Sequence, residues 1–103
     1  MIVTLTSDAE ADVKGATDFY HLIDPALAQS LVDEIRDALE RIAANPYLYQ
    51  RVHPLIRRGL THRFPFAIYY TIDPAEIGVI AVLHTSRSPK IWRKRTPDLG
   101  QSP

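Results

Sequence analysis

The sequence has no cysteine. That excludes disulfides and every cysteine-ligated zinc site. Its four histidines are scattered and share no metal-ligand spacing. Its four glycines, Gly15, Gly59, Gly78 and Gly100, stand apart, so no glycine-rich loop is available to cradle a phosphate. No metal and no cofactor are expected. No apolar run approaches the roughly 20 residues that cross a bilayer, and the N-terminus has no basic-then-apolar leader. The expectation is a cytoplasmic protein with no membrane partner. There is also no net charge: twelve basic residues balance twelve acidic ones.

What is present suits a globular chain. At 103 residues with 46% apolar content, it has the size of one domain. The zero net charge hides a split. Residues 1–50 hold three basic and nine acidic groups, 3 − 9 = −6, and residues 51–103 hold nine basic and three acidic, 9 − 3 = +6. Either the basic half faces an acidic partner or nucleic acid, or the two halves fold together and their charges intersperse.

Ile2 to Leu5 reads as a short strand. Thr6-Ser7-Asp8 is a helix start, with Ser7 and Glu10 spaced as a capping box. Ala9, Val13, Ala16, Phe19 and Tyr20 then recur at helical spacing, which predicts a helix from about Asp8 to Leu22. Asp8, Glu10 and Asp12 favour its first turns through the helix dipole. Asp24-Pro25 opens a second helix, an acidic cap followed by proline at the first helical position. Its stripe is Leu27, Leu31, Ile35, Ala38, Leu39 and Ile42, and Asn45-Pro46 ends it near Ala44. Asp33, Glu34, Asp37 and Glu40 form its acidic polar side. The short link predicts an αα-hairpin or a sharply bent pair.

Pro46 to Pro54 reads as a loop, and Ile56 to Thr61 begins the sheet, with Gly59 marking a bulge or turn. Arg63 to His84 reads as a β-hairpin around Pro74-Ala75-Glu76. In its first strand Phe66, Ile68, Tyr70 and Ile72 share one face and Ala67, Tyr69 and Thr71 the other. That places at most one of Tyr69 and Tyr70 in the core. The run Val79 to Leu83 has no polar residue, as in a strand covered on both sides. Five basic residues fall within positions 87 to 95. Ser88-Pro89 can open a short helical turn that sets Ile91 and Trp92 against the sheet. Residues 1–95 form one domain, and Thr96 to Pro103 read as a frayed end. The resulting expectation is a two-layer α+β domain, in which the helices cover one sheet face and the other carries Arg or His side chains and the basic tail.

The ordered set of these features resembles the RelE/ParE superfamily of bacterial toxins, and more closely its ParE-like side. The features are the capped acidic helix, the second helix ending in Asn-Pro, Arg63-Phe64-Pro65-Phe66-Ala67-Ile68-Tyr69-Tyr70, Ala81-Val82-Leu83-His84 and Arg87-Ser88-Pro89-Lys90-Ile91-Trp92. The resemblance spans about residues 2 to 95. It implies a fold with a short N-terminal strand and a helical hairpin packed on a small, mainly antiparallel sheet. It also implies a growth-inhibiting toxin neutralised by an antitoxin from a neighbouring gene. ParE-like members poison DNA gyrase, whereas RelE-like members cleave mRNA on the ribosome; a catalytically inactive binding module of the same fold is the third reading.

The resemblance further implies site residues. RelE-like nucleases use basic residues on the middle strands, an arginine after the last long strand and a tyrosine near the C-terminus. Arg58 and Arg87 match two of these. Ala67 stands where a further arginine is expected, and no tyrosine follows Tyr70. His62 and His84 are the residues able to substitute as acid and base, so a nuclease would rely on Arg58, His62, His84 and Arg87. A surface for a target or partner would use Arg58, Arg87, Lys90, Trp92, Arg93 and Arg95.

Overall fold

One residue, Asp24, serves both helices of the N-terminal half. In the computed structural model, which describes residues 1–96, α1 spans Ser7–Ile23 and α2 spans Pro25–Ala44. Asp24 lies between them in extended backbone. Its N–H donates to Tyr20 O at 2.9 Å, and its carboxylate accepts from Ala26 N at 2.9 Å. A single residue therefore ends one helix and caps the next. The start of α1 lies one residue earlier than the capping-box reading: Thr6 is the cap and accepts from Ala9 N at 3.1 Å.

The sheet has five strands: β1 (Ile2–Leu5), β2 (Arg51–His53), β3 (Ile56–Leu60), β4 (Phe66–Ile72) and β5 (Glu76–His84), in the order β1-β5-β4-β3-β2. Only β1 is parallel to its neighbour, β5; the remaining pairs are antiparallel. The architecture is the expected α+β arrangement. Strand β2 corrects the loop expected between Pro46 and Pro54. With Arg51 opposite Arg57 and His53 opposite Ile56, it is short and carries no alternation long enough to read from sequence. The tail forms α3 (Lys90–Lys94), as expected, and Thr96 closes it through N–H donation to Arg93 O at 3.2 Å. The rest of the expected frayed end, 97–103, lies outside the described residues. Among the described residues no helix is long and apolar enough to cross a membrane.

Two cores sit on the two faces of the sheet. The larger joins Leu31, Ile35, Ala38 and Ile42 of α2 to Ile68, Tyr70, Ile77, Val79 and Val82. Each fully buried aliphatic side chain here contributes about 1.5–3 kcal/mol. The smaller joins Ile56, Ala67, Tyr69, Ile80, Ala81 and Leu83 to Trp92. The second face carries Arg58 and the basic tail, as expected, but most of it is an apolar layer closed by α3. It also places both Tyr69 and Tyr70 in a core. Tyr69 stacks on Trp92 with ring centroids 5.1 Å apart, while Tyr70 is wholly buried on the helix side.

Cover on both faces makes the double burial possible, and a bulge in β5 matches that strand's side chains to the two covers. Tyr69 pairs with Ala81 but Tyr70 pairs with Val79, so Ile80 is the extra residue. The insertion inverts the pleat. Val79 and Val82 then share the helix side, and Ile80, Ala81 and Leu83 share the other. Gly59 marks no bulge; its register against Ile68 is regular. Its role is close approach, since a Cβ there would stand 3.0 Å from Ile42 Cδ1.

Two polar groups tie loops to this frame. Glu34 lies on the buried side of α2, a correction to its place on the acidic polar side. Its Oε1 accepts from Arg63 N at 2.6 Å and Phe64 N at 3.0 Å, and Arg63 Nε reaches Oε2 at 3.3 Å. Burial penalises the Glu34 charge, but these hydrogen bonds outweigh it and hold the carboxyl below its ordinary value of 4.5. Tyr70 Oη donates to Pro46 O at 2.7 Å. Burial pushes its pKa up to about 12, with the Arg57 charge pulling against that shift.

These two contacts generate opposite pH signatures. A depressed Glu34 contributes stability that is fully present above its unfolded value and is lost as pH falls through the folded one. Glu34→Ala should cost about 1–3 kcal/mol near neutrality by stranding the loop N–H groups. It should also flatten the acid limb of stability below pH 4.5, measured by urea unfolding across pH. For Tyr70 the raised value means stability is complete below about pH 10, the free tyrosine value, and is lost as pH rises through about 12. Tyr70→Phe should cost about 0.5–1.5 kcal/mol, and its difference from wild type should shrink across that alkaline window.

Candidate functional site

Strand β1 covers only the first part of β5; the last pairing is Leu5 with Val79. The chain then turns into α1, and Thr6 N donates to Val79 O at 3.0 Å. Among the described residues, no strand lies beside that edge of β5 from Ile80 onward. Two side chains take the strand's place. Asp12 Oδ2 accepts from Val82 N at 3.0 Å, and Arg95 Nη1 donates to Ile80 O at 3.2 Å. The two are themselves paired, at 2.6 and 3.2 Å. Donating these hydrogen bonds to Asp12 raises the Arg95 pKa against the opposing effect of burial, and Asp8 at 3.9 Å adds to the rise. The guanidinium is thus a fixed cation.

Beyond this pair, α1 and the end of β5 enclose an open cleft of about 350 Å³. The α1 wall presents Ala11, Gly15, Phe19 and Tyr20; the sheet wall presents Phe66, Val82 and His84, with Arg87 beside them. His84 Nδ1 lies 3.1 Å from Ser86 N and 2.7 Å from Ser86 Oγ. A backbone N–H can only donate, so Nδ1 is the acceptor, and the neutral ring carries its proton on Nε2. The His84 ring packs edge-on against Phe66 at 5.6 Å.

The sequence candidates fall into separate places. His84 and Arg87 line this cleft. His62 is exposed and lines a different, acidic hollow with Asp33, Glu34, Asp37 and Arg63. Arg58 stands half-buried in β3, opposite Tyr69, on the α3 side of the sheet. Lys90 and Arg93 are exposed on α3, with the Arg93 guanidinium 5.4 Å from the Trp92 ring centre. Trp92 is buried, and Arg95 is held by Asp12. Ala67 is 1% exposed within the second core, so an arginine's volume has no room there without repacking. Among the described residues, Arg87, Lys90, Arg93 and Lys94 make no ion pair, whereas Arg63 and Arg95 pair with acidic groups of α2 and α1. The charge split is therefore partly neutralised inside the fold and partly left as a basic stretch on the turn and α3.

Sequence reasoning missed Asp12 and Glu34. The available signal was their place on the apolar stripes: Asp12 falls between Ala9 and Ala16, and Glu34 between Leu31 and Ala38, at spacings of three and four. It also set Phe19 and Leu27 on apolar stripes, with Leu22 and Ile23 just beyond the first. The structure leaves these four at the helical tip exposed, because the sheet does not reach that far along the hairpin.

Comparison with known proteins agrees with this architecture. Residues 3–89 match the family described as the ParE toxin of type II toxin-antitoxin system, parDE. Among curated proteins none matches the chain. A solved structure titled "Chromosomal ParDE TA system from P. aeruginosa" superimposes with a TM-score of 0.73, over 84% of this chain and 97% of that one, at 24% identity; at that identity the likeness speaks for the fold. With the family match running over most of its length, the chain belongs to the ParE toxin family, within the RelE/ParE superfamily of type II toxins.

Proposed function

We propose that this ParE-family toxin acts in the bacterial cytoplasm on DNA gyrase, and that an antitoxin encoded by a neighbouring gene neutralises it by binding. The observation that carries the choice of target is the dispersal of the acid–base candidates. Cleavage of RNA through its 2′-hydroxyl needs a base, an acid and a cation around one phosphate. Here His62 and His84 line different hollows, Arg58 lies on the α3 side of the sheet, and Ala67 fills a core position. Arg87 and Arg58 neutralise charge but, as guanidinium groups, are poor proton donors. Poisoning a protein–DNA intermediate requires a surface, and Arg87, Lys90, Arg93 and Lys94, which make no ion pair among the described residues, supply a basic one. The nuclease alternative draws on one feature, the shared cleft of His84 and Arg87.

Inducing the chain alone should arrest growth and produce gyrase-dependent DNA breaks, with messages intact at early times. Co-expression of the adjacent gene should relieve the arrest and yield a co-purifying complex. Prompt codon-positioned cuts in translated mRNA would overturn the gyrase assignment, and absence of both toxicity and partner would leave the inactive binding module. Arg87→Ala should weaken toxicity at least several-fold while shifting stability by no more than about 0.5 kcal/mol, as expected for an exposed residue. A fully toxic variant would remove Arg87 from the working surface.

A further inference from the structure

The longest stretch of the chain without an acidic residue runs from 41 to 72. It holds Arg41, Arg51, Arg57, Arg58 and Arg63 and neither Asp nor Glu. Two of these arginines are spent inside the fold: Arg63 pairs with Glu34, and Arg41 Nη2 donates to Leu60 O at 3.5 Å. Arg51 and Arg57 stand directly opposite each other on β2 and β3. Opposite residues share one sheet face, and like charges so placed repel. Among the described residues no carboxylate pairs with either. Arg57 is nonetheless fixed in direction. Its Nη1 donates to Tyr47 O at 3.2 Å and Tyr49 O at 2.7 Å, and its guanidinium lies 5.4 Å from the Tyr47 ring centre. The two arginines line an open hollow of about 180 Å³ with Tyr47, Pro54, Leu55 and Ile72, and no acidic side chain stands among them. The hollow lies at the β2 edge, the far edge of the sheet from the α1–β5 cleft.

We infer that this hollow seats a backbone phosphate of duplex DNA between Arg51 and Arg57, with the adjoining sugar against Pro54 and Leu55. The inference rests on the gyrase reading above, which brings the toxin to a protein–DNA intermediate. An anion between the two guanidiniums turns their repulsion into two attractions. Guanidinium forks match phosphate oxygens, and Arg57 uses only Nη1 on the backbone, so its other N–H groups are left for a ligand. Because Arg57 is already held, little side-chain freedom is lost on binding. The surroundings suit a chain of phosphates better than a lone carboxylate, since no acid in the stretch 41–72 repels the next phosphate along. Such a contact positions the toxin on DNA without reading bases. Arg57 shares the sheet face of Tyr70, opposite the face that α3 covers. The two basic surfaces of the molecule can therefore meet different parts of one protein–DNA complex.

Arg51 is exposed, so its substitution should leave the melting temperature unchanged. The probe is a fluorescein-labelled DNA duplex, titrated by anisotropy with the purified full-length toxin at several salt concentrations. Wild type should bind with a Kd of roughly 10⁻⁴ to 10⁻⁶ M, the range of contacts that read no sequence. Arg51→Gln should weaken binding about threefold or more and reduce the salt slope by about one. Arg51→Glu should lose about tenfold or more by placing a repelling charge in the hollow. Arg57→Lys, which keeps the charge but not the fork, should also lose about threefold. Arg36→Gln, on the exposed side of α2, should bind as wild type. A duplex that does not bind, or that binds folded Arg51→Glu as tightly as wild type, overturns the site and leaves the toxin reading standing. Inorganic phosphate, a nucleoside monophosphate, an RNA strand or an acidic peptide that binds through Arg51 where the duplex does not overturns the DNA assignment. With gyrase and supercoiled plasmid present, Arg51→Glu should yield fewer cleaved complexes than wild type. Wild-type toxin that binds the duplex through Arg51 yet produces no cleaved complexes overturns the gyrase reading and leaves the phosphate site in place.

Discussion

The pairing of Asp12 with Arg95 links three parts of the chain. Asp12 comes from the second turn of α1, Arg95 from the end of α3, and they grip backbone groups of β5 at its bulge and two residues past it. A strand edge in that position would otherwise present unmet N–H and C=O groups. A paired carboxylate and guanidinium satisfy one of each. Their own charges are compensated by the same contact, so the desolvation that usually makes a half-buried charge costly is offset. The consequence reaches outward: with α3 anchored at Arg95, Trp92 stays against Tyr69 and the second sheet face stays closed.

The bulge at Ile80 acts with that anchor. A regular β5 would send Val79, Ala81 and Leu83 to one face and Ile80 and Val82 to the other. The single extra residue regroups them, so that each face receives a set matched to its cover. The helix side takes the branched Val79 and Val82 opposite Leu31 and Ile42, and the α3 side takes Ile80, small Ala81 and Leu83 near the Tyr69–Trp92 stack. Ala67 belongs to the same fit, and its small volume is a packing requirement of the second core.

This arrangement separates the charges by role. Glu34, Asp12, Arg63 and Arg95 hold elements together across the two halves of the chain. Arg87 and the exposed face of α3 are left to the surface, next to a cleft whose apolar wall is continuous with α1.

The helices, the β4–β5 hairpin, the short α3 and the α+β class were legible because each rests on local rules. Apolar spacing, caps, prolines and alternation act within a few residues of themselves. His84 and Arg87 were legible as candidates because they follow a strand end. What the sequence could not decide depends on register and on contacts between distant residues. An all-apolar run carries no phase, so the Ile80 bulge is invisible in Val79 to Leu83, and the burial of both Tyr69 and Tyr70 depends on the covers that α2 and α3 bring to the two faces. Strand β2 is too short to show alternation. Asp12 and Glu34 read as solvated acids until partners 83 and 29 residues away are brought to them. The sequence by itself determined the elements and their chemistry; the tertiary structure alone decided which charges are spent on holding the fold and which remain free to meet a partner, because that choice is made by pairing across long sequence separations.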